Sequence, residues 1–172
     1  GYADRAVWLK AGAQSLLCPW VAEAYGGPGI TAFRYDMIIS EEIVRHADPA
    51  LYIPLHNRIV APYIQHFGSE AQRRRWLPGA VSGETILAVA MTEPGTGSDL
   101  KSIRTTARRD GDEYVINGAK TFISNGLQCD LVIVVCKTHP KETGSKAMSL
   151  ILVETDRPGF RRGRKLDKVG QH

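Results

Sequence analysis

Ala90-Met91-Thr92-Glu93-Pro94-Gly95-Thr96-Gly97-Ser98-Asp99 is the stretch of this chain whose residue types best suit chemistry. An apolar, strand-like run from Ile86 to Met91 stops abruptly in a Pro/Gly/Ser loop. Two glycines two apart keep side chains away, so backbone N–H groups can approach an anion closely. Thr92, Thr96 and Ser98 add hydroxyls beside them. Such a loop suits phosphate or the polar edge of a cofactor. It is not a dinucleotide fingerprint, because the glycine spacing is wrong, and it is not a P-loop, because no Gly-Lys-Ser/Thr follows. On spacing alone an ordinary surface turn is an equal reading. Glu93 and Asp99 invite pairing as acid and base. Pro94, however, biases Glu93 to extended backbone, and Asp99 can bond its own turn, so neither is assigned a catalytic role.

Other reactive residue types point away from several function classes. The cysteines are three, Cys18, Cys129 and Cys136, with no Cys-x-x-Cys pair, which fits a reducing compartment. Cys136 lies in an apolar run and reads as buried filler. The five histidines have no metal-ligand spacing, so no metal is expected. The net charge of +4 is modest. Arg73-Arg74-Arg75 and Arg161-Arg162-Gly163-Arg164-Lys165 are the basic clusters, and neither interleaves aromatics, so no nucleic-acid partner is expected. They read as a solvated helix face and an exposed strand end. No apolar run approaches the roughly 18 residues of a membrane span, and no basic-apolar-small leader opens the chain.

The elements that must position the loop change period near residue 85. Before it, Ala3 to Gln14 reads as a short helix, and Tyr25-Gly26-Gly27-Pro28-Gly29 as a break. Ala32 to His46 has one apolar face at 3.6-residue spacing, carried by Tyr35, Ile38, Ile39 and Ile43, and ends at Asp48-Pro49. Leu51 to His66 is helical, shortened or kinked by Pro54 and Pro62. Ser69-x-x-Gln72 is a capping box that opens a helix to about Leu77, and Ser82-Gly83-Glu84 closes the helical half. After it, Thr85 to Met91 and Arg104 to Arg109 read as strands, with a turn at Asp110-Gly111-Asp112. Tyr114-Val115-Ile116 and Lys120-Thr121-Phe122-Ile123 flank Asn117-Gly118, which predicts a hairpin. Asn125-Gly126 is the next turn. Leu131 to Lys137 and Met148 to Val153 read as buried strands around a polar loop, His139 to Lys146. Pro158-Gly159 leads to a last strand near Arg161 to Lys165. Helices followed by strands imply an α+β chain and exclude alternating βαβ units. The boundary divides a helical segment, 1–84, from a β segment, 85–172.

Several blocks then match one family in order. Met91-Thr92-Glu93-Pro94-Gly95-Thr96-Gly97-Ser98-Asp99 resembles the signature loop of the acyl-CoA dehydrogenases. Asp110-Gly111-Asp112-Glu113-Tyr114-Val115-Ile116-Asn117-Gly118-Ala119-Lys120-Thr121-Phe122-Ile123-Ser124-Asn125-Gly126 resembles the next block at the usual distance. Tyr25-Gly26-Gly27, Phe67-Gly68-Ser69-Glu70-Ala71-Gln72, Gly163-Arg164-Lys165-Leu166 and Lys168-Val169-Gly170 resemble further landmarks. Phe122-Ile123-Ser124 stands where many relatives have Trp-Ile-Thr, a variation that resembles the long-chain-acting branch, as does Leu55 to Ile64.

The resemblance implies a partial N-terminal helical domain and an incomplete β-barrel-like middle domain, with the C-terminal helical domain absent. It implies FAD as cofactor and α,β-dehydrogenation of an acyl-CoA thioester to the trans-2-enoyl-CoA, with hydride passing to flavin N5. Val89, Met91 and Thr92 then contact the flavin ring, and Gly97 and Ser98 lie by the FAD pyrophosphate. Ser98 also lies by the substrate's CoA arm. Phe122, Ile123 and Ser124 form a flavin-contacting strand, with Phe122 as aromatic cover and the Ser124 hydroxyl for N5. The family's catalytic glutamate matches no residue here and is expected beyond residue 172. Electron-transferring flavoprotein is the implied acceptor and a homo-oligomer, a tetramer, the implied assembly. The implied compartment is the cytoplasm of a bacterium or the mitochondrial matrix of a eukaryote. An acyl-CoA oxidase using O2, or an inactive acyl-CoA-binding paralogue, are the alternatives.

Overall fold

The computed structural model describes residues 3–46 and 50–167. The predicted helix stop at Asp48-Pro49 and the Lys168-Val169-Gly170 landmark lie outside the described residues. Helix α1 (Arg5–Ala13) starts at Asp4, whose carboxylate accepts the Ala6 N–H at 2.7 Å. Helix α2 (Arg34–Arg45) follows the glycine-rich break. A π turn (Leu55–Val60) then runs into α3 (Ala61–Phe67). The Ala61 N–H bonds the His56 carbonyl five residues back. Pro62, which has no N–H to continue an α ladder, follows at once, so the predicted kink takes the form of a widened turn.

Helix α4 (Glu70–Ser82) carries the expected capping box: the Gln72 N–H donates to Ser69 Oγ, and the Ser69 N–H to Gln72 Oε1. It does not end at Leu77. Pro78 sits inside it, and the helix continues to Gly83, which closes it with φ of +84°. A side chain at Gly83 would meet the Trp8 carbonyl at 2.3 Å, so α1 packs directly against this end. The missing Pro78 hydrogen bond is offset by that burial: Leu77 and Ala80 are fully buried.

Strands β1 (Leu87–Ala90), β2 (Thr106–Asp110), β3 (Glu113–Asn117), β4 (Leu131–Lys137) and β5 (Met148–Glu154) form one mixed sheet. β5 runs antiparallel along all of β4, from Leu131↔Glu154 to Lys137↔Met148. The other edge of β4 is shared: β1 lies parallel to Leu131–Val134, and β2 joins at Lys137. The α+β expectation therefore holds.

The two sheet faces separate cleanly, as period-2 strands require. Leu87, Leu131 and Ile133 face Leu55, Ile64, Leu77 and Ala80 of the helical layer. Ala88, Ala90, Val132 and Val134 face the other way with Ile151 and Val153, and this cluster continues to Trp8, Leu17 and Ile53. His56 joins the layers. Its ring is fully buried, Nε2 lies 2.9 Å from the Ala80 carbonyl, and Nδ1 accepts the Leu87 N–H at 3.2 Å. Burial pushes its pKa down to about 4, the Ala80 carbonyl opposing, so the ring is neutral with its proton on Nε2. All three cysteines are buried free thiols, and burial raises each pKa. The Arg73–Arg75 run is a helix face as predicted, with Arg73 and Arg74 against Glu70 and Arg75 against Glu154. Among the described residues no helix is long and apolar enough to cross a membrane, and no His/Cys/Asp/Glu group could hold a metal.

Three predicted features are absent among the described residues. The hairpin turn is not Asn117-Gly118 but Gly111-Asp112, between Asp110 and Glu113. Gly118 serves packing instead, since a Cβ there would meet Thr105 Oγ1 at 2.3 Å. The segment Lys120–Ile123 is not a strand; its polar groups bond back to the loop after β1. Residues 161–165 also form no strand. Arg162 stays exposed but donates to the Cys129 carbonyl at 2.9 Å and to Thr155 Oγ1 at 2.7 Å, so a side chain tethers this stretch.

Candidate functional site

β1 delivers Val89, Met91 and Thr92 to the sheet edge, and the chain then turns at once. Glu93 and Thr96 exchange backbone hydrogen bonds of 2.9 and 3.0 Å, closing a turn with Pro94-Gly95 at its centre. Half of the segment is thus an ordinary turn. Gly97 and Ser98 lie exposed beyond it. A Cβ at Gly97 would meet nothing within 4 Å, and its φ is not in the left-handed region. The fold itself does not demand glycine there. Gly97→Val is therefore expected to leave the melting temperature within about 2 °C, as for a surface substitution, and any loss should appear in ligand binding. Unchanged flavin and acyl-CoA binding in that variant would make Gly97-Ser98 a plain turn.

The Glu93 side chain turns inward. It is 6% exposed, and its carboxylate accepts four donors: the Arg104 N–H at 2.6 Å on Oε2, and the Thr105 N–H (2.9 Å), Thr105 hydroxyl (2.5 Å) and Lys120 Nζ (2.9 Å) on Oε1. Burial pushes this carboxyl up, but the Thr105 hydroxyl, the Arg104 N–H and Lys120 outweigh it and hold the pKa down at about 2. An acid so committed is a fixed anion. Asp99 bonds no backbone N–H of its turn through its side chain; it accepts the Ser102 hydroxyl.

Lys120 also donates to the Met91 carbonyl at 2.8 Å, and the Thr121 N–H donates to the Thr92 carbonyl at 3.0 Å. Asn125 Nδ2 reaches the Leu87 carbonyl at 3.2 Å. Residues 120–125 are thereby stitched alongside residues 87–93 at both ends. The structure brings together two segments thirty residues apart in sequence, Met91-Thr92 and Phe122-Ile123-Ser124. Gly97 and Ser98 are not tied to that segment.

Phe122 has φ of +58° and is 71% exposed. A bulky residue in that region is strained and persists where its neighbours hold it; here the Thr121 bond and a turn from Ile123 to Gly126 do so. Ile123 and Ser124 are half-buried. All three border an open cleft of about 1560 Å³ whose floor is Val132, Val134, Ile151 and Val153. Gln128 Oε1, buried and without a partner among the described residues, also faces it. An apolar floor, a presented aromatic ring and an uncommitted acceptor fit a large planar, partly polar ligand. Val89, Met91, Thr92, Gly97 and Ser98 do not line this cleft.

Sequence reasoning passed over Lys120, Thr105, Gln128 and His56. A lysine inside the run expected to be a strand was the available signal for Lys120. Gln128 and His56 had none, since their roles arise from packing.

Two family descriptions match consecutive parts of the chain: the acyl-CoA dehydrogenase N-terminal domain over residues 1–84 and the acyl-CoA dehydrogenase middle domain over residues 88–172. The chain is 43% identical over 172 residues to the mitochondrial long-chain specific acyl-CoA dehydrogenase of Sus scrofa, covering 99% of this chain and 40% of that protein. It superposes on an acyl-CoA dehydrogenase from Geobacillus kaustophilus with a TM-score of 0.95 at 51% identity, over 99% of this chain and 45% of that one. An acyl-CoA dehydrogenase from Bacillus anthracis, solved in complex with FAD, matches with a TM-score of 0.85 at 33% identity, over 95% of this chain and 27% of that one. The chain thus spans about two fifths of the length of the Sus scrofa relative.

Proposed function

The chain belongs to the acyl-CoA dehydrogenase family, and from that premise we propose that it forms the flavin-facing part of an FAD-dependent enzyme that α,β-dehydrogenates an acyl-CoA thioester. The single observation that carries this is the stitching of Met91-Thr92 to Phe122–Ser124 by Lys120 and Thr121. It sets side by side two segments that the resemblance assigns to flavin contact, of which Phe122, Ile123 and Ser124 border the cleft. Bound FAD would supply the two-electron chemistry by which the β hydrogen leaves as hydride.

The chain's own residues bind and orient. Val89, Met91 and Thr92 offer backbone and hydroxyl contacts along the ring edge. Phe122 and Ile123 offer apolar cover, and Ser124 a hydroxyl at the ring. Gly97 and Ser98 leave room for the pyrophosphate, with Ser98 also beside the CoA arm. Glu93 does not take the α proton, because four donors hold its carboxylate in place. We take the base to be the family's catalytic glutamate, which by resemblance matches no residue of this chain. We take residues 1–84 and 85–172 as parts of two domains of a longer, homotetrameric protein that passes electrons to electron-transferring flavoprotein.

The test uses the natural protein that contains this chain, titrated anaerobically with acyl-CoAs of several lengths. Bound FAD that bleaches on titration is the expected result; a flavin-free protein that binds no acyl-CoA overturns the reading. Ser124→Ala is expected to weaken FAD retention or slow flavin reduction by about ten-fold, the loss of one hydrogen bond. Equal flavin content and an equal reduction rate in that variant would remove Ser124 from the site.

A further inference from the structure

Lys120 is 10% exposed and Glu93 6% in their side chains; Lys120 borders the same cleft as Phe122, Ile123 and Ser124, while Glu93 does not. A buried ion pair is poor evidence for stability, since its desolvation cost rivals its attraction and an apolar pair of similar volume often serves as well. Its placement is more informative. Lys120 Nζ has two anchors, Glu93 Oε1 and the Met91 carbonyl oxygen. That carbonyl belongs to the peptide unit whose N–H is that of Thr92. A cation on the oxygen of a peptide group polarises it and makes its N–H a stronger donor. The next residue after Lys120 donates to the Thr92 carbonyl, so the same lysine also sets the spacing of the two segments.

We propose that Glu93 and Lys120 are positioning residues that act through the Met91–Thr92 peptide: they strengthen its N–H toward the flavin and hold residues 121–124 beside it. The flavin part rests on the function proposed above. Glu93 fixes the lysine; Arg104, Thr105 and the close approach of Gly118 to Thr105 fix Glu93. A stronger N–H favours the electron-rich reduced cofactor over the oxidised one, so the pair raises the reduction potential as well as the affinity.

The test compares the natural protein with Lys120→Met and with the double variant Glu93→Gln/Lys120→Met. The double variant leaves no buried charge unpaired, so it keeps the question answerable where the single variant unfolds. Three readouts are needed: amide exchange at Thr121 in the FAD-free protein, FAD affinity by fluorescence quenching, and the midpoint potential of the bound FAD. The double variant is expected to stay folded but to melt below the wild type, since the new amide must turn its NH2 toward the Arg104 N–H or the Thr105 donors, and to exchange faster at Thr121. Its FAD affinity should be lower by about ten-fold or more, as for loss of a charge-assisted contact. Its potential should fall by about 30 mV for each ten-fold change in the ratio of reduced to oxidised affinity. Wild-type affinity and potential in the double variant overturn the proposal. A wild-type protein that binds no FAD overturns the functional reading instead, and unchanged Thr121 exchange then overturns the positioning role on its own.

Discussion

Replacing Glu93 with alanine is expected to cost about 3–5 kcal/mol of stability, the range for breaking one partner out of a buried ion pair. The variant strands the Lys120 ammonium, 10% exposed, with the Met91 carbonyl as its remaining anchor. It also removes the acceptor of the Arg104 N–H and of both the Thr105 N–H and hydroxyl. Each unsatisfied buried group adds to the cost. Urea unfolding at pH 7 measures it as a shift in midpoint at constant slope. Adding Lys120→Met to the alanine variant should recover part of the loss, because the residues are in direct contact and their effects do not add. A Glu93→Ala protein within about 1 kcal/mol of the wild type would show that water reaches this carboxylate and that the pair is not buried in solution.

Acid should lower the chain's stability over two successive pH ranges. The folded His56 pKa of about 4 lies below its ordinary 6.5, so the unfolded chain binds the extra proton first. Its contribution is present in full above about pH 6.5 and is lost as pH falls toward 4, about 3 kcal/mol at 1.36 kcal/mol per unit. Protonation also converts Nδ1 from acceptor to donor and so opposes the Leu87 N–H, which is the joint between helical layer and sheet. The Glu93 carboxyl is likewise depressed, from 4.5 to about 2, so its contribution is present above 4.5 and is lost below it, again about 3 kcal/mol. Urea midpoints measured from pH 7 to pH 3 should fall throughout this range. His56→Gln should flatten the fall over the upper range and leave that over the lower one. A midpoint independent of pH between 7 and 4 in the wild type would contradict a neutral, buried His56.

The arrangement of the proposed site explains why both effects matter for function. His56 ties the helical layer to the first residue of β1, and Glu93 ties the end of β1 to residues 104–105 and 120. Val89, Met91 and Thr92, the residues proposed to meet the flavin ring, lie between these two anchors. Stability and site geometry are therefore coupled, and loosening either anchor frees the same short stretch of backbone.

The sequence by itself determined what depends on local pattern. The capping box at Ser69 and Gln72, the β strands near residues 131–137 and 148–153, and the switch from helices to strands were all legible, because each rests on contacts within a few residues or on a period. Tertiary structure decided what depends on distant partners. The capped helix was expected to end about Leu77, but burial of Leu77 and Ala80 and the packing of Gly83 on Trp8 carry it on through Pro78 to Ser82. Asn117-Gly118 had the composition of a hairpin turn, yet its glycine is there because Thr105 leaves no room for a Cβ. Lys120–Ile123 had the composition of a strand, but Lys120 and Thr121 find stronger partners in Met91, Glu93 and Thr92 than a neighbouring strand would offer. The fate of Glu93 was the least legible: a carboxylate in a polar loop reads as exposed, and only four donors from residues 104, 105 and 120 make its burial favourable.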